Sequence, residues 1–118
     1  MEYAILVYES ETNFSNRTDK ERDSYWGAFR AYSQALAQAG IVAGGAVLYP
    51  GDAGTTIRLR DAQQQVQDGL YAETKEQLGG FILVDVPNLD TALDWAARCP
   101  GASDGAVEVR PIVMMGQG

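Results

Sequence analysis

The chain has 118 residues, of which 46% are hydrophobic and 21% charged, and this size and composition predict one globular domain over residues 1–118. Its net charge of −7 argues against nucleic acid and against an anionic membrane surface as partners, because phosphate binding requires clustered Lys and Arg side chains. The sequence has no histidine and one cysteine, which excludes Ser-His-Asp and Cys-His nucleophile systems, histidine-based metal sites and an intrachain disulfide.

The run YAILVY at residues 3–8 is β-rich and apolar on both faces, which predicts a strand in the centre of a sheet. It is too short to span a membrane, and no basic region precedes it as in a signal peptide. The lone cysteine favours a reducing compartment, so the expected location is cytoplasmic. Residues 9–18 are predicted to form a polar loop.

Helical spacing of apolar residues begins near Asp19 and continues to Ala39. The residues at steps of three and four are Tyr25, Phe29, Tyr32, Leu36 and Ala39. Thr18 or Asp19 can cap the start of this helix, and Gly40 can end it.

Two strand regions follow the helix, at residues 41–51 and 55–60. The second alternates, so Ile57 and Leu59 are expected to face the helices while Arg58 and Arg60 lie on the other face of the sheet. Residues 61–62 predict a turn, and 63–67 a short return strand.

The run FILVDV at residues 81–86 gives the strongest strand prediction. Asn88 can cap a second helix with an apolar face, and Pro100-Gly101 stops that helix. The apolar face comprises Leu89, Ala92, Leu93, Ala96 and Ala97. Alternation in residues 106–114 predicts a last strand.

This order of elements predicts an α+β fold, the ferredoxin-like split β-α-β with an antiparallel sheet and two helices on one face. The uncovered face is expected to carry Phe81, Leu83 and Asp85, together with Arg58, Arg60, Glu108 and Arg110. Such a mixture of bulky apolar and charged groups fits a face-to-face homodimer that encloses a partly polar pocket for a small molecule.

Two arginines on that face, Arg58 and Arg110, are candidates for holding a carboxylate or an enolate. The alternative is that they only form ion pairs with Glu108, Asp85 or Glu9. Tyr8 and Tyr71 are further candidates for contact with a ligand. The paired glycines 44–45 and 79–80 lack the spacing of a phosphate loop and are interpreted as strand bends.

The stretch DGLYAETKEQLGGF at residues 68–81 concentrates charge before the strongest strand. Asp68, Glu73, Lys75 and Glu76 can fold over the mouth of a pocket with one carboxylate as a base, or they can serve turn formation and ion pairing alone. No cofactor is expected, although Mg²⁺ held by carboxylates of this loop stays open. Cys99 is either a small buried hydrophobe at a helix end or a functional thiol, and the first is favoured.

The segment DGLYAETKEQLGGFILVDVPNLDTALDWAARCPGASDGAVEVRPI closely resembles the DGPF branch of the YCII-related (YciI-like) proteins, and the resemblance extends over nearly the whole chain. It implies a ferredoxin-like domain that pairs into a dimeric α+β barrel. Members of the wider family are similar to small enzymes acting on cyclic or aromatic compounds, including a dehydrochlorinase type, and some members of the branch are similar to proteins associated with alternative sigma factors.

Two departures from the family pattern bear on function. The family is associated with a pair formed by a histidine on the first helix and an aspartate just before a proline after the second helix. This chain has no histidine and carries Cys99 before Pro100, so the pair cannot be carried over. Leu70 and Tyr71 stand where the branch usually has Pro and Phe.

Two functional hypotheses follow. The first is a small-molecule-binding homodimer that acts as an enzyme on a small carboxylated or phenolic compound by proton transfer. Its candidate catalytic residues are Asp68, Glu73 and Asp85, and its candidate binding residues are Arg58, Arg110, Tyr8, Tyr71 and Lys75. The alternative is a non-catalytic regulatory or interaction module associated with transcription control, which would use the acidic surface and the charged loop.

Overall fold

The computed structural model describes residues 1–69 and 74–114, so the predicted candidates Tyr71 and Glu73 lie outside the described residues. The strands are β1 (Glu2–Ser10), β2 (Val42–Val47), β3 (Thr55–Arg60), β4 (Gln63–Asp68), β5 (Glu76–Asp85) and β6 (Ala106–Pro111). The helices are α1 (Glu11–Asn16), α2 (Arg22–Ala39), α3 (Leu89–Ala97) and α4 (Gly101–Asp104).

The main sheet has four antiparallel strands in the order β2-β5-β1-β6. With α2 and α3 included, its elements follow one another along the chain as β-α-β-β-α-β, which confirms the predicted α+β architecture. Ile5 of the central strand β1 lies opposite Ile82 on β5 and Val109 on β6, and this register places all three on the helix side.

The hydrophobic core lies between the sheet and the helices. Alternate residues of β1 are buried there, as the period of a strand requires, and they meet Tyr32 and Leu36 of α2 and Ala92 and Ala96 of α3. Ile5 and Leu36 are fully buried, and each such side chain contributes about 1.5–3 kcal/mol by leaving water. On α3 the small alanines face the core, whereas Leu89 and Leu93, which the apolar stripe placed inside, are exposed.

Local side-chain chemistry sets the helix ends. Gly40 ends α2 with a left-handed φ of 70°, and the Asn88 side chain caps α3 by accepting a hydrogen bond from the Thr91 backbone N–H at 2.9 Å, so both predictions are confirmed. The predicted cap of α2 is wrong. Asp19 instead accepts from the Glu21 N–H at 2.7 Å in the preceding turn.

The segment 9–18, predicted as a loop, contains the short helix α1. Ser10 and Asn13 form a reciprocal cap at its start, in which Ser10 Oγ accepts from the Asn13 N–H and Asn13 Oδ1 accepts from the Ser10 N–H. These two hydrogen bonds satisfy backbone donors at the helix start and so stabilise this short helix. The spacing of apolar residues did not predict it.

The hairpin β3–β4 forms a two-stranded sheet of its own, with a turn at Asp61 and Ala62 in which both φ angles are positive. The predicted turn and return strand are confirmed, but the placement of β3 in the main sheet is wrong. Ile57 and Leu59 are 60% and 63% exposed rather than packed under the helices. Arg58 and Arg60 therefore lie on the hairpin and not on the uncovered face of the main sheet, because alternation defines two faces of a strand but not its neighbours.

The uncovered face of the main sheet carries Phe81, Leu83, Glu108 and Arg110, as predicted. Phe81 and Glu108 lie on either side of Leu6 of β1. Leu83 and Arg110 lie on either side of Ala4, the neighbouring residue of β1 on this face. Within the described residues, no helix combines the length and the apolar character needed to cross a membrane.

Candidate functional site

A cavity of about 500 Å³ lies between α2 and the β2–β5 half of the sheet. Its volume is that of a typical small-molecule site. Much of its wall is apolar, with Val7, Trp26, Phe29, Leu36 and Ile82 among its residues. Gly44, Gly45, Gly79 and Gly80 also line it, and because they carry no side chains they leave space between helix and strands.

One end of this cavity holds the buried ion pair of Glu9 and Arg17. The Glu9 side chain is only 4% exposed, and its Oε2 lies 3.2 Å from Nη2 of Arg17. The hydroxyl of Tyr25 donates to the other carboxylate oxygen, Oε1. Each oxygen of Glu9 thus has one donor in place and retains capacity to accept a further hydrogen bond.

Arg17 is held by backbone as well as by Glu9. Nη1 donates to the carbonyl of Leu48, Nη2 donates to the carbonyl of Gly79 at 3.0 Å, and the guanidinium lies 4.7 Å from the centre of the Phe14 ring. These contacts join α1, the end of β2 and strand β5 through one side chain. The planar fork of arginine is suited to this because its N–H groups point in fixed directions.

Strand β5 has an extra residue where the ion pair lies. Val7 of β1 pairs with Gly80 and Tyr8 pairs with Leu78, so Gly79 forms a β-bulge, which confirms the predicted irregularity of this glycine pair. The Gly79 carbonyl accepts from the Leu48 backbone N–H at 2.9 Å in addition to Arg17. The bulge therefore supplies an anchor for Arg17.

Tyr25 is the third member of the polar cluster. Burial, and next the hydrogen bond to Glu9, raise the pKa of its phenol above the ordinary value of 10.0. The phenol is therefore protonated at neutral pH and acts as a donor to Glu9, while it accepts from Nε of Arg17 at 3.3 Å. Its ring packs on Trp26 and Phe29, which fixes its direction.

A second, polar cleft of about 270 Å³ lies on the other side of Glu9 and Tyr25. Its walls include Asn13, Glu21 and Asp104, all with polar side chains. Since Glu9 and Tyr25 line both spaces, the carboxylate can be approached from the apolar cavity on one side and from the polar cleft on the other.

Two predicted site residues, Tyr8 and Arg110, meet through Glu108 on the uncovered face. Arg110 Nε donates to Glu108 Oε2 at 2.7 Å, and the Tyr8 hydroxyl donates to Oε1 at 3.0 Å. The Arg110 hydrogen bonds lower the pKa of Glu108 and Glu108 raises that of Arg110, while burial and next the Glu108 bond raise the pKa of Tyr8. The pairing of Arg110 with Glu108 matches the ion-pair alternative.

The other described candidates lie apart from this cluster. Asp85, at the end of β5, pairs with the amino group of Met1 at 3.0 Å. Asp68 and Lys75 line one open groove beside α1, and Arg58 is half-buried on the hairpin. The roles predicted for these residues, and for Tyr71 and Glu73, stay predictions.

Glu9, Arg17 and Tyr25 were not predicted as a group from the sequence. A signal was available for Glu9, because it continues the buried alternation of Tyr3, Ile5 and Val7 in steps of two. A carboxylate at a core-facing position must find a partner, and that partner is a candidate for the site.

Cys99 is 2% exposed, and burial raises the pKa of its thiol, which confirms the small buried hydrophobe favoured from the sequence. In the part of the chain that the structure describes, no three side chains of the metal-binding types cluster closely enough to hold a metal ion.

Comparisons with known proteins agree with this architecture. The family model of the YCII-related domain matches residues 1–116. The uncharacterized protein R00369 of Rhizobium meliloti (strain 1021) is 38% identical over 116 residues, which cover 97% of this chain and 94% of the relative.

Among solved structures, the chain is similar to 5-chloro-2-hydroxyhydroquinone dehydrochlorinase from Burkholderia phenoliruptrix AC1100, in its complex with 2,5-dihydroxybenzoquinone. The TM-score is 0.56 at 15% sequence identity, and the match covers 96% of this chain and 94% of the enzyme. At this identity the likeness shows a shared fold.

Proposed function

The chain belongs to the family of YCII-related domains, and from that premise we propose that it binds a small phenolic compound in the cavity beneath α2 and moves a proton at Glu9. The observation that carries the proposal is a buried carboxylate in the wall of an otherwise largely apolar cavity of about 500 Å³. An apolar space with a few convergent polar groups is the usual form of a small-molecule site. The similar dehydrochlorinase acts on a chlorinated hydroxyhydroquinone, a compound of this class.

Proton transfer is assigned to Glu9 because of how its carboxylate is held. Arg17 and Tyr25 fix the two oxygens in place, and the free capacity of each oxygen can accept the hydroxyl proton of a bound phenol. In the proposed step the ligand O–H bond breaks, its electron pair stays on the ligand oxygen, and the proton moves to Glu9. The polar cleft on the far side of Glu9 offers a path by which the proton can exchange with water.

Two further assignments belong to the proposal. The chain acts as a homodimer in which the uncovered sheet faces meet, supported by the half-buried apolar side chains of Leu6, Phe81 and Leu83 on that face. It belongs to the DGPF branch of its family, supported by the motif at residues 68–76.

The proposal is tested by calorimetric titration with hydroquinone. Ser33 lines the cavity from α2, and Ser33→Phe places a bulky ring in it. Gln34, the next residue on the helix, is exposed and lies outside the cavity lining, so Gln34→Phe is the matched control. We expect hydroquinone to bind the wild type and Gln34→Phe equally, and Ser33→Phe at least about tenfold more weakly. No binding to the wild type contradicts the proposal.

A further inference from the structure

We infer that the cavity beneath α2 selects uncharged ligands and rejects carboxylates, because Arg17, the one cation among the described residues of its wall, is already neutralised within the site. The inference rests on the proposed function and narrows the class of compounds that it covers. It depends on the charges of the wall, on the hydrogen bonds of Arg17 and on the spare capacity of Glu9.

The charges of the cavity wall cancel. Of the described residues that line it, Glu9 and Arg17 are the charged ones, and they face each other as an ion pair with N···O at 3.2 Å. The side chains of both are less than a tenth exposed, 8% for Arg17 and 4% for Glu9, so water screens them little. An anion entering this space meets no net positive charge.

The guanidinium nitrogens of Arg17 already donate to acceptors of the protein. Nη2 donates to both Glu9 and the Gly79 carbonyl, and Nε donates to Tyr25. Nη1 donates to the Leu48 carbonyl. A carboxylate ligand that used the guanidinium as a fork would have to displace Glu9 or one of these carbonyls, and each displaced group would lose a hydrogen-bond donor in a buried position.

Glu9 reinforces the selection. A carboxylate held next to it would place two like charges in a poorly solvated space, which raises the free energy of the bound state. An uncharged ligand with an O–H or N–H group gains a hydrogen bond to a charged acceptor there, the stronger kind of hydrogen bond. The site therefore favours neutral donors such as phenols and amides.

The test uses benzamide and benzoate, which are nearly identical in shape and differ in charge at about pH 7. Calorimetric titrations of the wild type should give benzamide at least about tenfold higher affinity than benzoate. Hydroquinone is titrated in parallel. If hydroquinone does not bind, the proposed function itself fails. If hydroquinone binds while benzoate binds as well as benzamide, or benzamide does not bind, the proposed function stands and the charge selection is overturned.

One variant should reverse the preference for benzamide over benzoate. Glu9→Gln leaves the positive charge of Arg17 without its buried partner, so benzoate should now bind at least as tightly as benzamide. Tyr25→Phe keeps both charges and should retain the preference for benzamide. If Glu9→Gln preserves the wild-type preference, the ion pair is not its cause and the inference is overturned. Should Glu9→Gln fail to fold, the wild-type pair of titrations still decides.

Discussion

Gly79 packs directly against Glu9: a Cβ atom at position 79 would lie 3.0 Å from the carboxylate carbon of Glu9 and 2.9 Å from Nη2 of Arg17. Any other residue at this position would press on the buried ion pair from the bulge of β5. Because both distances are so short, the ion pair keeps its position only when the bulge of β5 carries a glycine there.

Replacement of Gly79 by alanine should therefore destabilise the protein. We expect Gly79→Ala to lower the free energy of unfolding by about 1–3 kcal/mol, the usual cost of forcing extra atoms into a packed site. Gly27 in α2 is the control, since a Cβ there meets nothing within 4 Å. Gly27→Ala should raise the stability by about 0.5–1 kcal/mol through helix propensity. Urea unfolding measures both, and equal effects of the two changes would contradict the packing argument.

The ion pair itself should show strong energetic coupling. Arg17→Met or Glu9→Gln each leaves one buried charge uncompensated, which costs about 3–5 kcal/mol. The double variant has no unpaired buried charge at this site, so its loss of stability should be smaller than the sum of the two single losses by about 0.5–3 kcal/mol. Denaturant unfolding of the wild type, the two single variants and the double variant measures the free energies of this double-mutant cycle. Additive losses would mean that the pair is not coupled as its geometry requires.

The buried tyrosines predict how stability changes with pH. Burial raises the pKa values of Tyr25 and Tyr32 in the folded protein above 10.0, the value that an exposed phenol has in the unfolded chain. Their contribution is complete below pH 10.0 and is lost as the pH rises from there toward the folded-state pKa, because the unfolded state alone releases these protons.

The unfolding free energy should consequently fall as the pH rises above about 10, and the fall should be shallower in Tyr25→Phe. Tyr49, whose side chain is 85% exposed, supplies the control, and Tyr49→Phe should follow the wild-type profile. Guanidinium unfolding at a series of pH values measures this dependence. An unchanged slope in Tyr25→Phe would contradict the buried, protonated state of its phenol.

The proposed dimer gives a prediction about the uncovered face. Leu83 lies on that face next to β1, and Leu83→Glu should shift the protein toward a monomer in sedimentation velocity, since a charge in the apolar centre of an interface costs free energy. Leu93 on α3 is 46% exposed on the helix side, and Leu93→Glu should leave the oligomeric state unchanged. A monomeric wild type would contradict the proposal.

Much of the fold could be predicted because its signals are local. Helical spacing and the stop at Gly40 located α2, and the apolar run of 81–86 located the main part of β5. The separation of the β3–β4 hairpin from the main sheet could not be predicted, since the assembly of sheets depends on contacts between distant segments and the pattern of Ile57 and Leu59 suits any two-faced sheet.

The candidate site could not be predicted from the sequence for a related reason. Arg17 lies in a polar stretch that is typical of a loop, and its burial arises from the carbonyl of Gly79, which is 62 positions away in the sequence. Charged residues are usually exposed, so the sequence indicates surface arginines such as Arg110 as the candidates. The three-dimensional arrangement was needed to reveal that Arg17 is the buried partner of Glu9.

The most direct test of the central claim is a crystal structure of the protein with hydroquinone bound. The account predicts that the ring lies in the cavity between α2 and the β2–β5 half of the sheet, with one hydroxyl oxygen within hydrogen-bond distance of a Glu9 carboxylate oxygen. A bound ring on the uncovered face, beside Arg110 and Tyr8, would contradict it, as would a cavity that stays free of ligand at saturating hydroquinone.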